Sequence, residues 1–163
     1  MITYNENIVK FIKTILENEK LDLKKLNVIE IGSNSGLLCT ILSKYFNKWI
    51  GYETNNVFYS YLRNNIYLKN CEFNKGFIEE IEDNSVELLI CNNVMKYNEE
   101  NMMWYNIERV MKSKGIIWII DNENYRRKCL KKKLWENVEL SNIIKIKELN
   151  IMNLTTNYIY KKI

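Results

Sequence analysis

The spacing of two glycines and one acid is the feature of this sequence most relevant to chemistry. Gly32 and Gly36 enclose the stretch GSNSG, and Glu53 follows 17 residues later at the end of WIGYE. Glycine permits a tight turn that a Cβ would obstruct, and amides exposed at a helix start can bind oxygen atoms. A carboxylate at the end of the next strand can accept both hydroxyl hydrogens of a ribose. Singly, these features are typical of an ordinary turn and a solvated strand end; together they favour a nucleoside site.

The loop also restricts the kind of nucleoside. A dinucleotide fingerprint, G-x-G-x-x-G, would require glycines at the positions of Asn34 and Leu37, and the sequence has no G-x-x-x-x-G-K-[ST]. A cofactor without phosphates therefore fits better. Asn34 departs from the glycine pattern, but asparagine tolerates left-handed geometry better than most other residues.

Residue types that are absent restrict the chemistry further. The 163 residues include no histidine and no proline, which excludes a Ser/His or Cys/His pair and leaves Asp, Glu, Lys, Tyr or Cys as bases. The four cysteines form no C-x-x-C pair, which argues against a zinc knuckle or a dithiol redox site. Their positions instead favour buried, reduced thiols.

Alternating helices and strands must position these residues. Apolar side chains at i, i+3, i+4, i+7 and i+8 predict an amphipathic helix over residues 5–18, and a second helix is predicted over 35–46. The apolar face of that second helix is expected to consist of Leu37, Leu38, Ile41, Leu42 and Tyr45. Further helices are predicted at 55–70, about 99–112 and 125–138, and strands at 26–32, 49–54, 71–76, 86–92 and 115–122.

The alternation indicates an α/β fold, doubly wound, because parallel strands need helical crossovers that cover the sheet faces. The two alternating stretches 142–149 and 155–163 predict a C-terminal antiparallel hairpin on the edge of a mostly parallel, Rossmann-like, seven-stranded sheet. We expect a single domain over 1–163, with a leading helix in 1–22 and the core in 23–163. The sequence has neither a secretory pattern nor a membrane-spanning apolar run, and a cytoplasmic protein is expected.

Four stretches resemble motifs of the class I S-adenosylmethionine-dependent methyltransferases. VIEIGSNSG resembles the first motif, GYET the second, NKGFIEEIEDNSVELLICNNVMKY the adenine-holding stretch, and IERVMKSKGIIWIID the following helix and strand. The resemblance covers essentially the whole chain. It implies the methyltransferase fold, S-adenosylmethionine as cofactor and methyl transfer to an unidentified acceptor.

The resemblance also implies roles for individual residues. Those that would bind the methionine end are Glu30, Gly32, Ser33, Asn34 and Gly36. Glu53 would bind the ribose with Thr54 beside it, and Ile78 lies in the adenine stretch. Phe77 replaces an acid that often contacts adenine, and it either stacks on the base or belongs to the core.

The acceptor side is less specific. Asn92 would face the methyl group, while Asn93, Lys96 and Tyr97 are candidates for positioning the acceptor, although ordinary loop polarity explains each singly. Proximity supplies much of the rate in methyl transfer, so no universal base is required. Without proline, the chain lacks the [DN]-P-P-[YFW] of adenine and cytosine amino-methyltransferases.

Two further features leave alternatives open. Asp121 and Asn122 resemble part of a magnesium site, but asparagines replace its partner carboxylate, so no metal is expected. Residues 126–133, RRKCLKKK, hold six of the 24 basic residues and are either a solvated helix face or an RNA-binding surface. The alternative function is therefore a catalytically silent module that binds a protein partner or RNA. The acceptor could be a small molecule, protein or RNA, and a partner subunit could complete an open site.

Overall fold

A computed structural model describes residues 4–94, 100–122, 143–151 and 155–163 of the chain. The chain divides into two compact units, Met1–Phe77 and Ile78–Ile163, which are described separately below. The predicted helix at 125–138, with its basic stretch, lies outside the described residues.

Unit 1 is built on three parallel strands. Its elements in chain order are α1 (Tyr4–Asn18), β1 (Asn27–Ile31), α2 (Leu37–Leu42), β2 (Lys48–Glu53), α3 (Asn56–Asn65) and β3 (Cys71–Lys75). β2 lies between β1 and β3, with Glu30 paired to Gly51 and Gly51 paired to Phe73. The carboxyl ends of β1 and β2 therefore lie side by side, and the glycine loop (residues 32–36) and Glu53 emerge at one edge.

The leading helix follows the predicted pattern. α1 buries the five side chains at the i, i+3, i+4, i+7 and i+8 positions, namely Ile8, Phe11, Ile12, Ile15 and Leu16. Burial of these aliphatic and aromatic groups stabilises the helix by roughly 1.5–3 kcal/mol for each fully buried side chain. Periodicity alone was sufficient here because the helix is long and regular.

The second helix differs from the prediction in length and in its buried face. α2 ends at Leu42, and a 3₁₀ turn over Ser43–Tyr45 continues the chain. Leu37, predicted to be apolar core, is 55% exposed, while Leu38 and Leu42 are buried as predicted together with Cys39. The tighter 3₁₀ turn has three residues per turn, which rotates the chain beyond Leu42 away from the predicted α-helical face.

Unit 2 combines one parallel and two antiparallel strand pairings. Its elements are β4 (Val86–Asn92), α4 (Glu100–Val110), β5 (Met111–Asn122), β6 (Ile143–Ile151) and β7 (Thr155–Lys162). β5 pairs with β4 in parallel and with β7 antiparallel, and β6 pairs antiparallel with β7. The predicted C-terminal hairpin is therefore confirmed, with β6 as its outer strand. α4 and the residue after it bury four apolar side chains, those of Met103, Ile107, Val110 and Met111.

The strand order is β3-β2-β1 within unit 1 and β4-β5-β7-β6 within unit 2. The predicted α/β class and the mostly parallel, seven-stranded sheet with a C-terminal antiparallel hairpin are confirmed. Among the helices in the described parts of the chain, none has the length and apolar character needed to cross a membrane.

Candidate functional site

The glycine loop adopts left-handed backbone at three alternating positions. The φ angles are +79° at Gly32, +51° at Asn34 and +76° at Gly36. A left-handed conformation costs most L-residues roughly 1–2 kcal/mol, but asparagine adopts it more readily because its short polar side chain bonds locally. Asn34 therefore takes the geometry that glycine provides in the usual pattern, and its departure from that pattern does not prevent the turn.

Backbone hydrogen bonds tie the loop to the end of β2. The amides of Gly32 and Ser33 both donate to the carbonyl of Tyr52, at 2.9 and 3.3 Å, and the Gly36 amide donates to the carbonyl of Ser33 at 2.8 Å. The Asn34 amide donates to Oε2 of Glu53 at 2.8 Å. These four amides are thus used in holding the loop, which fixes its shape before any ligand binds.

Glu53 joins the loop to the start of α3. Its Oε1 accepts from the amide of Asn55 at 2.8 Å, while Oε2 accepts from Asn34, and the residue is only 7% exposed. The Asn55 side chain in turn caps α3 by accepting from the amides of Val57 and Phe58. A carboxylate has about four acceptor positions, so each Glu53 oxygen retains capacity for a further donor such as a hydroxyl. Thr54, beside it, is exposed.

Ser33 carries a buried hydroxyl for which the described residues offer no hydrogen-bond partner. The residue is 2% exposed, and its Oγ would lie 2.4 Å from a Cβ added at Gly51. The same added Cβ would lie 2.8 Å from the Phe73 ring. Gly51 is therefore required for the loop to approach β2 this closely. Sequence reasoning missed Gly51, although a glycine inside a strand is a signal of close approach.

Glu30 is fully buried on β1 and accepts a hydrogen bond from the indole Nε1 of Trp49 at 3.2 Å. Trp49 is itself fully buried on the neighbouring strand. The structure thus places Glu30 in a polar contact beneath the loop, and its predicted role at the methionine end of a cofactor stays a prediction.

The predicted adenine stretch begins where unit 1 ends. Phe77 is half-buried, and Ile78, the first residue of unit 2, is fully buried at the start of a 3₁₀ turn over Ile78–Glu80. In unit 1, the amide of Gly76 donates to the carbonyl of Glu53 at 3.2 Å.

Arg109 on α4 holds the connection between Ile78 and β4. Its guanidinium donates to the carbonyls of Ile81 and Ile78 at 2.7 and 3.1 Å, and it bonds and pairs with Asp83. Nε of Arg109 donates to Asn106 at 3.2 Å. The N–H donors of one guanidinium therefore hold the 3₁₀ turn that begins at Ile78. No local pattern signals this role, because Ile78, Ile81 and Asp83 lie 26 to 31 residues from Arg109.

The predicted acceptor-side residues are only partly described. Asn92 ends β4 and Asn93 follows it with φ of +56°, and Nδ2 of Asn93 donates to Oδ1 of Asn92 at 3.0 Å. The Asn93 amide donates to the carbonyl of Ile120 on β5 at 2.9 Å. Lys96 and Tyr97 lie outside the described residues, as do residues 126–133. Asp121 and Asn122 end β5, where they pair with Thr156 and Thr155 of β7.

No curated protein matches the sequence significantly. The structure is similar to that of a SAM-dependent methyltransferase from Aquifex aeolicus, with a TM-score of 0.71 and 18% identity, covering 93% of this chain and 89% of that one. It is also similar to an S-adenosylmethionine-dependent methyltransferase from Mesorhizobium loti, with a TM-score of 0.68 and 8% identity, covering 91% and 96% of the two chains.

A family model identifies the chain more directly. The sequence matches the model of a methyltransferase domain over residues 22–161, which include the glycine loop, Glu53 and the C-terminal hairpin. This match confirms the family resemblance seen in the sequence motifs, and the two solved structures share the fold. The chain therefore belongs to the methyltransferase domain family.

Proposed function

We propose that the protein transfers a methyl group from S-adenosylmethionine, and that the glycine loop and Glu53 hold this cofactor. The observation that supports the proposal most is the environment of Glu53. Its carboxylate is 7% exposed and is bonded by backbone amides of both the loop and the residue preceding α3. It is therefore fixed at the end of β2 while retaining acceptor positions for two ribose hydroxyls.

The residues of the loop fit the rest of such a cofactor. Ser33 has a hydroxyl that is buried and unpartnered within the described structure, and a polar group of the methionine end would satisfy it. Asn34 has the left-handed backbone of the usual glycine. We assign the methionine end to Glu30, Gly32, Ser33, Asn34 and Gly36 together, with Ser33 making the contact by its side chain.

The adenine is assigned to Phe77 and Ile78, and Thr54 is assigned to the ribose beside Glu53. Phe77 is half-buried, so part of its ring is exposed and can stack on a base. Because the side chain of Ile78 is fully buried, its contribution is to shape the stretch rather than to bond the base. Arg109 supports it by bonding the carbonyl of Ile78.

When bound, S-adenosylmethionine would supply a methyl group attached to a positively charged sulfur, and an acceptor aligned with the carbon–sulfur bond would take the methyl group as the sulfur leaves. The chain has no histidine, and the reaction requires none, because alignment of donor and acceptor supplies much of the rate. We assign acceptor positioning to Asn92, Asn93 and Tyr97. The hydrogen bond from the side-chain amide of Asn93 to that of Asn92 holds both side chains at the end of β4.

The acceptor is unspecified, and we propose an amine or an already acidic group as its chemical class. Either can act as a nucleophile without the strong base that an alcohol requires. We further propose that the protein acts in the cytoplasm, where this methyl donor is an ordinary metabolite. A partner subunit that completes the site is compatible with this scheme.

Calorimetry with S-adenosylhomocysteine tests the cofactor site. We expect the unaltered protein to bind, and Glu53→Ala to lose about 2 kcal/mol or more, roughly 30-fold in affinity, because two hydrogen bonds to a charged acceptor disappear. Glu53→Gln retains one oxygen acceptor and should lose less. Glu72→Ala is the matched control, since Glu72 is a half-exposed acid on β3 that pairs with Lys48. No binding by the unaltered protein would contradict the proposal, and binding unchanged in Glu53→Ala would contradict the ribose assignment.

The acceptor class is tested with a labelled methyl donor. Cell extract is separated into small molecules, protein and RNA, and each fraction is incubated with the protein and methyl-labelled S-adenosylmethionine. Label in one fraction identifies the acceptor class. Cofactor binding without label in any fraction would favour the alternative, a catalytically silent module.

A further inference from the structure

Two cysteines that are far apart in the sequence are in contact within unit 1. Sγ of Cys39, on α2, lies 3.9 Å from Sγ of Cys71, the first residue of β3, and donates toward it. Cys39 is fully buried and Cys71 is partly exposed, and both are free thiols. The pair therefore joins one fully buried cysteine to one that is partly exposed.

The surroundings of the two sulfurs separate their acidities. The hydrogen bond from Cys39, assisted by Ser43 and opposed by burial, lowers the pKa of Cys71 from 9.0 to about 7. The same hydrogen bond, with burial and the nearby Glu30, raises the pKa of Cys39. At neutral pH, negative charge therefore accumulates on Cys71, the partly exposed member of the pair, and the thiolate is the nucleophilic form of cysteine.

We propose that Cys39 and Cys71 form a peroxide-sensitive dithiol pair, in which Cys71 is oxidised first and Cys39 then closes an intramolecular disulfide. The Cys71 thiolate attacks hydrogen peroxide: an S–O bond forms, the O–O bond breaks, and the departing hydroxide takes a proton to become water. Cys39 then attacks Sγ of Cys71: an S–S bond forms and the S–O bond breaks. The second hydroxide leaves as water with the Cys39 proton. Two thiols are oxidised and one peroxide is reduced.

The first step itself activates the second sulfur. The largest cause of the raised pKa of Cys39 is its hydrogen bond to Cys71. The sulfur of a sulfenic acid carries no negative charge and accepts such a bond more weakly than a thiolate, so we expect the pKa of Cys39 to fall once Cys71 is oxidised. The two sulfurs must approach by about 2 Å to reach the bond length of a disulfide, about 2.05 Å. Because Cys39 is buried in contact with Cys71, its thiol reaches the sulfenic acid before a thiol from solution does.

Cys91 provides an internal comparison. It is fully buried on β4, and burial alone raises its pKa. It should therefore remain a thiol under conditions that oxidise the pair. Cys129 lies outside the described residues, and the test uses the full chain carrying Cys129→Ser so that Cys39, Cys71 and Cys91 are the only thiols present.

The first experiment titrates this protein with hydrogen peroxide and measures its intact mass and tryptic peptides. We expect a monomer lighter by two hydrogens, with peptide 26–44 linked to peptide 70–75 and the Cys91 peptide unmodified. Linkage that includes Cys91, linkage between chains, or oxygen addition without linkage would overturn the proposal.

The second experiment measures the pH dependence of alkylation at Cys71 by iodoacetamide. We expect a midpoint near pH 7, a similar midpoint in Cys39→Ser, which retains a donor, and a clearly higher midpoint in Cys39→Ala, which does not. Peroxide treatment of Cys39→Ser should leave a sulfenic acid on Cys71 that dimedone captures, whereas Cys71→Ser should protect Cys39. Equal midpoints in the alanine and serine variants would overturn the assigned role of Cys39.

Discussion

Replacing Ser33 by alanine separates stability from ligand binding at the glycine loop. Its hydroxyl is 2% exposed and has no partner in the described structure, and burying such a group costs about 1–3 kcal/mol. Removing the oxygen eliminates that cost and leaves only the space of one atom. We therefore expect Ser33→Ala to raise the free energy of unfolding of the ligand-free protein by about 1 kcal/mol.

The same change should weaken cofactor binding. If the methionine end satisfies the hydroxyl, Ser33→Ala loses one hydrogen bond worth about 1–1.5 kcal/mol, or roughly tenfold in affinity for S-adenosylhomocysteine. Stability is measured by urea unfolding and thermal melting, where 1 kcal/mol corresponds to about 2–4 °C for a chain of this length. Affinity is measured by calorimetry on the same samples.

Ser43 is the matched control for this experiment. It is also 2% exposed, but its hydroxyl bonds Cys71, so Ser43→Ala should lower stability by about 1 kcal/mol and leave affinity unchanged. A loss of stability in ligand-free Ser33→Ala would refute the conclusion that its hydroxyl is unpartnered. A stabilised variant with unchanged affinity would refute the proposed contact with the cofactor.

Two further substitutions test the supports of the site. Gly51→Ala places a Cβ 2.4 Å from Ser33 Oγ and should lower the free energy of unfolding by about 1–3 kcal/mol. The double variant Ser33→Ala/Gly51→Ala should recover part of this loss. Equal losses of stability in the single and double variants would show that the clash lies elsewhere. Arg109→Lys removes the fork that bonds Ile78 and Ile81 and should lower the unfolding free energy in urea by about 2–3 kcal/mol. The control is Lys112→Met, which removes an ion pair with Glu87 at the surface and should change the unfolding free energy by less than about 1 kcal/mol. Similar losses of stability in the two variants would contradict the role of Arg109.

Local patterns were sufficient for the elements and for most of the loop. The periodicity of α1 identified its five buried residues, and the alternating C-terminal stretches predicted the pair β6 and β7. The apolar face predicted for the second helix was wrong at Leu37, the first residue of α2, which is 55% exposed, and the helix ends at Leu42, where a 3₁₀ turn follows. Tertiary contacts determine where a short helix ends, and periodicity contains no information about them.

The sequence by itself determined the class of fold, the family motifs and the residue types available for chemistry, because these depend on local order and composition. Tertiary structure decided which of those residues meet. It bonded the Asn34 amide to Glu53, placed Gly51 against Ser33, and brought Cys39 to Cys71 although 32 residues separate them. The cysteine spacing argued against a dithiol, since that argument considers only neighbours along the chain. Parallel strands and their crossovers bring residues that are far apart in the sequence close together in space. Local patterns cannot predict these pairs, because side chains interact through space and not along the sequence.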